Sequence, residues 1–277
     1  RQRQMCIRDR WKGATQTGRR LALARWVVKP NHPLTSRVMV NRIWQQHFGR
    51  GIVPSSSDFG ELGQRPTHPE LLDWLAVELT GSGWSTRALL RELVTSATYR
   101  QSSRVTPELH ERDPDNRLLS RGPRHRLDAE VVRDQALVVG GLLQRRVGGP
   151  GGRPYQPKGV WKDVAFAGSN TREYQADSGT ALYRRTLYTF WKRTAPPPMM
   201  MAFDASSRET CVLSRSRTNT PLQALALLND VTFVEAARVL AAETIRRGGA
   251  EPADRLAWAF RQLTSRLPAD EEMAILE

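Results

Sequence analysis

The sequence has few cysteines, few lysines and no long apolar run, and each of these absences narrows the class of protein. Cys6 and Cys211 are the only cysteines in 277 residues, which gives no support to a disulfide framework. The longest apolar stretches, such as 224–228, fall far short of the roughly 20 residues that span a bilayer. The length suffices for one large domain or two smaller ones, each with its own core.

The two ends of the sequence do not resemble the ends of a folded domain. Arg1–Arg10 reads RQRQMCIRDR, with no hydrophobic period and no helix cap, and no apolar export segment follows it. We interpret these ten residues as a non-native segment derived from a sequencing adapter. Their exclusion leaves Cys211 as a lone thiol. The segment 267–272 has the proline and acidic residues of a helix start, so we expect a truncated C-terminus.

The positive charge is carried almost entirely by arginine, and the formal net charge is +14. One explanation is a GC-rich genome that encodes arginine where others encode lysine. The alternative is a surface for an anionic partner, such as nucleic acid, acidic polysaccharide or lipid headgroups. The arginines are spread along the chain and form no tract interleaved with aromatic residues. This spread favours the first explanation and argues against a nucleic-acid groove.

Hydrophobic periodicity and capping residues predict a mainly α fold with a small β-hairpin and long irregular loops. Thr67–Glu70 and Thr220–Gln223 have the pattern of capping boxes, and Asn31 and Ser85 are further candidate caps. Predicted helices follow these four caps, and others are predicted over 127–143, 233–245 and 253–263. The residues of 184–193 favour a strand, and 159–167 is its predicted hairpin partner.

Residues 30–277 are predicted to form a single helical domain, and 11–29 to end a preceding region. The polar, proline-containing segment near 105–125 makes a subdivision there the alternative. The glycine-rich break at 148–152 and the irregular stretch that follows are the best candidate for a long functional loop.

Several sequence blocks occur in the same order as in a known family. The blocks are NHPLTSRVMVNRIW (31–44), QQHFGRG (45–51), SDFG (57–60), PTHPELLDWL (66–75), GWS (83–85), TSATYRQSS (95–103), RLDAE (126–130), RD (133–134), WKR (191–193), FD (203–204), TPLQAL (220–225) and LND (228–230). Together they resemble the domain of unknown function 1553 family from about Lys29 onward. An ordered series of this length is far more specific than any single motif.

The resemblance implies a cellular context and no reaction, because the family has no established activity. Relatives are large multidomain proteins of planctomycetes and neighbouring bacteria, usually with an export signal. They commonly carry a companion domain and a Cys-x-x-Cys-His haem segment upstream. The resemblance therefore implies an extracytoplasmic location, periplasmic or cell-surface, and a companion upstream domain as partner. Since no Cys-x-x-Cys-His occurs in this sequence, we expect no cofactor in this fragment, and any c-type haem to lie on a separate domain.

Four residues are candidates for catalysis. His47, at the end of a predicted helix, suits a general base or metal ligand, or a helix-end histidine bonded to a carbonyl. Asp58 suits a turn, or a carboxylate near His47. Glu130 and Asp134 share one helix face, which suits either an acid–base pair or part of a salt-bridged surface. Asp204 is a further candidate carboxylate. No His-x-x-x-His or Glu-x-x-His spacing occurs, so no metal site is predicted.

Further residues are candidates for ligand binding. Asn41 and Arg42 are polar residues on an otherwise apolar predicted helix. Arg193 and Arg217 flank a proline-rich turn, and so does Arg215. Their guanidinium groups suit the binding of carboxylate, sulfate or phosphate, or the formation of internal ion pairs. The tryptophans of the predicted hairpin, which are candidates for stacking on a sugar, are Trp161 and Trp191.

Three functions therefore remain open from the sequence. The leading hypothesis is a binding or assembly module, directed toward polysaccharide or another anionic ligand. The alternative is a hydrolase-like enzyme that uses carboxylates, His47 and arginines in one cleft. The third is anion or nucleic-acid binding through an arginine-rich surface.

Overall fold

The computed structural model describes residues 18–29 and 31–277. The predicted adapter-derived segment 1–10, with Cys6, and the first part of 11–29 lie outside the described residues. Within the described ranges the fold is mainly α, as predicted, with twelve α-helices. The chain divides into two compact units, of which the first ends at His125 and the second begins at Arg126. The division falls at the end of the polar segment 105–125.

The described part of the first unit contains six helices. They are α1 (Arg19–Val27), α2 (Thr35–Phe48), α3 (Pro69–Gly81), α4 (Thr86–Thr95), α5 (Ala97–Arg100) and α6 (Pro107–Arg112). Val40, Trp44 and Phe48 recur every four residues along α2 and are buried. They pack in one core with leucines of α3 and α4 and with Ile52 and Val53 of the following loop. The rings of Trp44 and Phe48 stack with their centroids 3.9 Å apart.

The helix starts of the first unit follow the sequence pattern only in part. Ser85 caps α4 as predicted, because its Oγ accepts a hydrogen bond from the amide of Ala88. The capping box predicted at Thr67 is wrong. Helix α3 begins at Pro69 with no side-chain cap, since the amide of Thr67 donates to the Ile52 carbonyl at 2.9 Å. The polar groups of Thr67 thus hold the preceding loop against α3.

The second unit contains the remaining described helices and two 3₁₀ turns. They are α7 (Ala129–Val139), the turns Gly179–Tyr183 and Thr186–Tyr188, α8 (Pro198–Ala202), α9 (Pro221–Asn229), α10 (Val231–Arg247), α11 (Pro252–Thr264) and α12 (Asp270–Leu276). The predicted capping box at Thr220 and Gln223 is present at the start of α9. Helix α7 packs so closely on α10 that a Cβ at Gly140 would lie 2.9 Å from the carbonyl oxygen of Ala236.

The predicted β-hairpin does not form. Among the described residues, 159–167 consists of turns, and 184–193 makes only isolated parallel bridges, Gln144 with Arg184 and Gly152 with Thr189. Side chains of α7 take the place of a partner strand. Arg133 donates to the carbonyls of Leu182 and Arg184, and Asp134 accepts from the amide of Thr186. Backbone groups satisfied in this way no longer require a strand ladder.

No helix in the described ranges combines the length and the apolar character needed to cross a membrane.

Candidate functional site

The second unit contains a cavity of about 360 Å³. Helices α8 and α9 provide most of its apolar wall, including Met199, Met200, Leu222, Leu225 and Ala226. Prolines at 154, 157, 197 and 198 complete that wall, and these residues keep a fixed backbone shape. The volume lies within the range of roughly 300–1,000 Å³ that is usual for small-molecule sites. The cavity is therefore large enough for a ligand.

A buried arginine of α7 lies in the wall of this cavity. Arg133 is only 2% exposed. Its Nη1 donates to the Arg184 carbonyl and to Thr186 Oγ1, each at 3.1 Å, and Nη2 donates to the Leu182 carbonyl at 2.7 Å. Its Nε is buried without an acceptor in the described part of the chain. All three acceptors are neutral oxygens, so the guanidinium has no carboxylate in direct contact there.

Burial lowers the pKa of Arg133, and the charges of Asp134 and Asp230 oppose that shift. An arginine nevertheless stays protonated at neutral pH, because its ordinary pKa lies so far above it. The site therefore holds a full positive charge beside an apolar cavity, an arrangement that is costly unless a counter-charge is present.

The two carboxylates nearest to this charge are already engaged. Asp134 accepts from the amide of Thr186 at 2.7 Å and from its hydroxyl at 2.6 Å, and its other oxygen lies 3.5 Å from Arg185. Asp230, which lines the cavity, caps α10 by accepting from the amide of Thr232 at 2.9 Å. Its negative charge thus faces the positive end of a 17-residue helix. Neither carboxylate touches Arg133, but both act on it as negative charges through space.

A second polar cluster joins the start of α7 to the segment before α9. Arg126 forms an ion pair with Asp204, which also accepts from the amide of Thr218 at 2.8 Å. Arg215 donates to Glu130 at 2.6 Å. The hydrogen bond from the Thr218 amide lowers the pKa of Asp204 against the effect of burial. Burial alone raises the pKa of Glu130, but the hydrogen bond from Arg215 and the glutamate's own amide outweigh it and lower the pKa.

The four candidate catalytic residues occupy separate local environments. In the first unit, His47 Nδ1 donates to the Ile43 carbonyl at 2.8 Å, and Asp58 Oδ1 accepts from the amide of Gly60 at 2.7 Å. Glu130 and Asp204 belong to the arginine cluster of the second unit. None of the four lines the cavity. The structure therefore pairs Glu130 with Arg215 and Asp204 with Arg126, and holds His47 and Asp58 to their own local backbone.

The polar ligand-binding candidates also have local partners. Asn41 is fully buried, and its amide group accepts from the Val53 amide and donates to the Val53 carbonyl. Asn41 thereby fixes the loop after α2. Arg42, the other candidate on this helix, is exposed. Arg193 lies 3.7 Å from Glu209, and Arg217 lies 4.0 Å from Asp128.

The two tryptophans predicted to lie on the hairpin differ in exposure. Trp161 is only 2% exposed and packs edge-to-face on Tyr174, with a centroid distance of 4.8 Å. Trp191 is half-buried, and the guanidinium of Arg208 lies 4.3 Å from its ring centroid. Trp161 therefore presents no free face, and a cation already occupies a face of Trp191.

Sequence reasoning missed the residues of the cavity, although one signal was available. Ala129, Arg133 and Leu137 are spaced by four residues, so they share one face of α7, and all three are buried. An arginine on the apolar face of a helix is unusual and indicates a buried polar role. The cavity itself gave no sequence signal, because its wall comes from separated segments.

The described residues contain no group of three or more His, Cys, Asp or Glu arranged to hold a metal, and Cys211 is an exposed free thiol. Searches of curated proteins and of solved structures found no similar protein. The model of the family described as PSD1: Protein of unknown function (DUF1553) matches residues 19–277. That match begins within the segment 11–29 and continues through both compact units, so the chain belongs to the DUF1553 family.

Proposed function

We propose that this chain is a binding module whose ligand site is the cavity of the second unit. The observation that carries this proposal is the positive charge of Arg133 in the wall of an apolar cavity of about 360 Å³. An apolar pocket with a few convergent polar groups is the usual form of a small-molecule site. Arg133 and Asp230 both line the cavity, so its wall offers a ligand one positive and one negative group beside the apolar surface.

A hydrolytic function has less support. General acid–base catalysis requires a group whose pKa lies near the working pH and which reaches the substrate. The lowered pKa values of Glu130 and Asp204 keep both groups ionised, and their arginine partners occupy them. Asp230 lines the cavity, but it is engaged as the cap of α10. The cavity therefore suits binding better than acid–base chemistry.

A small ligand also has more support than a polysaccharide chain. Sugar recognition by stacking requires aromatic faces that are open to solvent, and Trp161 is buried while Trp191 is paired with Arg208. Binding of long anions through surface arginines is disfavoured in the same region, since Arg126 and Arg215 already form ion pairs. The apolar wall formed by α8 and α9 instead matches a compact ligand with a hydrocarbon body.

A matched pair of substitutions in α9 tests the cavity as the site. Leu225 lines the cavity, whereas Leu228 lies on the same helix, is 74% exposed and is not part of the wall. Isothermal titration calorimetry would measure binding of 1-octanol, octanamide and octanoate to the intact chain. We expect at least one compound to bind at a single site, and Leu225→Trp to weaken it by about tenfold through occupied volume. Leu228→Trp should leave its affinity unchanged.

Absence of binding by all three compounds would overturn the proposal. Equal affinities in the intact chain and in Leu225→Trp would do the same, because they would place the bound compound elsewhere.

A further inference from the structure

The charged groups around the cavity cancel one another. Among the residues that line it in the described part of the chain, Arg133 is the one cation and Asp230 the one anion. Asp134, whose charge also acts on Arg133, and Arg185, whose Nε lies 3.5 Å from Asp134, add a second pair. These two positive and two negative charges sum to zero. An ionic ligand would therefore lose its hydration and find no excess counter-charge in exchange.

Asp230 has one oxygen that remains open. Its Oδ1 accepts from the amide of Thr232 at 2.9 Å, where it caps α10. Its Oδ2 accepts no hydrogen bond from the described residues and is not a buried atom, whereas the Nε of Arg133 is buried. A carboxylate oxygen accepts hydrogen bonds and donates none. Since Asp230 lines the cavity, it offers a ligand a charged acceptor.

The residue before Asp230 places a second acceptor at the same end of α9. The Nδ2 of Asn229 donates to the Leu225 carbonyl at 2.9 Å, and its Oδ1 has no donor in the described ranges. Met199 and Leu222 present thioether and hydrocarbon surface along the rest of the wall. A ligand that matches this wall has an apolar body against α8 and α9 and a donor where α9 meets α10.

We infer, on the basis of the proposed function, that the ligand is an uncharged molecule with an apolar body and one hydrogen-bond-donating head group, a hydroxyl or an amide N–H, directed at Asp230.

A series of ligands that differ in the head group tests this inference on the intact chain. Calorimetric titrations at neutral pH would compare 1-octanol with its isomer heptyl methyl ether, which has no donor, and with octanoate and octylammonium. We expect 1-octanol to bind about tenfold more tightly than the ether, because the ether makes no hydrogen bond to the carboxylate. Both ions should bind at least about tenfold more weakly than 1-octanol.

Asp230→Asn provides the matched test on the protein side. Asparagine has nearly the same shape and also caps helices, so the start of α10 is kept while the charge is removed. We expect 1-octanol to bind about threefold more weakly, because a neutral acceptor replaces a charged one. Octanoate should gain relative to 1-octanol, since Arg133 then leaves an excess positive charge. The control is Asp270→Asn, which removes the same charge from an exposed residue of α12 and should change neither affinity.

The outcomes separate the two proposals. If octanoate or octylammonium binds as tightly as 1-octanol, or if the ether does, the cavity remains a binding site and the uncharged-donor inference is overturned. An unchanged ratio of octanoate to 1-octanol affinity in Asp230→Asn would overturn it as well. If none of the compounds binds, the proposed function itself fails.

Discussion

Replacement of Arg133 by methionine should destabilise the second unit, although it removes a buried charge. The change leaves the carbonyls of Leu182 and Arg184 and the hydroxyl of Thr186 without their donor. Each buried acceptor that loses its partner costs about 1 kcal/mol or more. Relief from burying the charge offsets part of this loss. We expect Arg133→Met to lower the free energy of unfolding by about 3 kcal/mol, or Tm by roughly 6–12 °C.

Urea denaturation followed by circular dichroism would measure this change, with differential scanning calorimetry as the second method. Arg238→Met is the control, because Arg238 is an exposed residue of α10. Its effect should stay within about 0.5 kcal/mol. A midpoint for Arg133→Met equal to that of the unchanged chain would refute the reasoning. Water from the cavity would then be satisfying the three acceptors, and Arg133 would have no structural role.

Three further predictions concern other parts of the chain. Asn41→Ala should cost about 3 kcal/mol, because it removes the buried amide that holds the loop at Val53, whereas the exposed Gln46→Ala should be nearly neutral in the same urea titration. Thr220→Ala should cost about 1 kcal/mol through loss of the α9 capping box, measured as a shift of Tm. The lowered pKa of Asp204 stabilises the fold above the ordinary carboxylate pKa of about 4, and that contribution disappears as pH falls through the lowered value. Asp204→Asn should therefore reduce the dependence of unfolding on pH below about 4, and an unchanged acid titration would contradict this assignment.

The helical character of the chain was predictable because it depends on contacts between residues close in sequence. The box at Thr220 formed because Thr220 and Gln223 satisfy each other's amides within one turn. The same pattern at Thr67 did not form, because a distant carbonyl, that of Ile52, accepts from its amide. Local patterns therefore predicted helix starts only where no long-range partner competed for the same groups.

The strand prediction for 184–193 was wrong for a related reason. Its composition of β-branched and aromatic residues favours extended backbone, but such a preference depends on context. Thr186 and Thr189 are buried with a spacing of three residues, as the 3₁₀ turn requires, and not with the alternation of a strand. Arg133 and Asp134, some 50 residues earlier in the chain, decide this conformation.

The sequence by itself determined the family and the mainly α character of this protein. Ordered motifs and helical periodicity are properties of the linear chain, so both were visible in it. The tertiary structure alone decided which charges are compensated. It paired Arg126 with Asp204 and Arg215 with Glu130, and it left Arg133 with neutral partners beside a cavity. Charge compensation depends on the distance between charged groups and on how deeply they are buried. Residues separated by 50 to 90 positions in the chain determine both quantities.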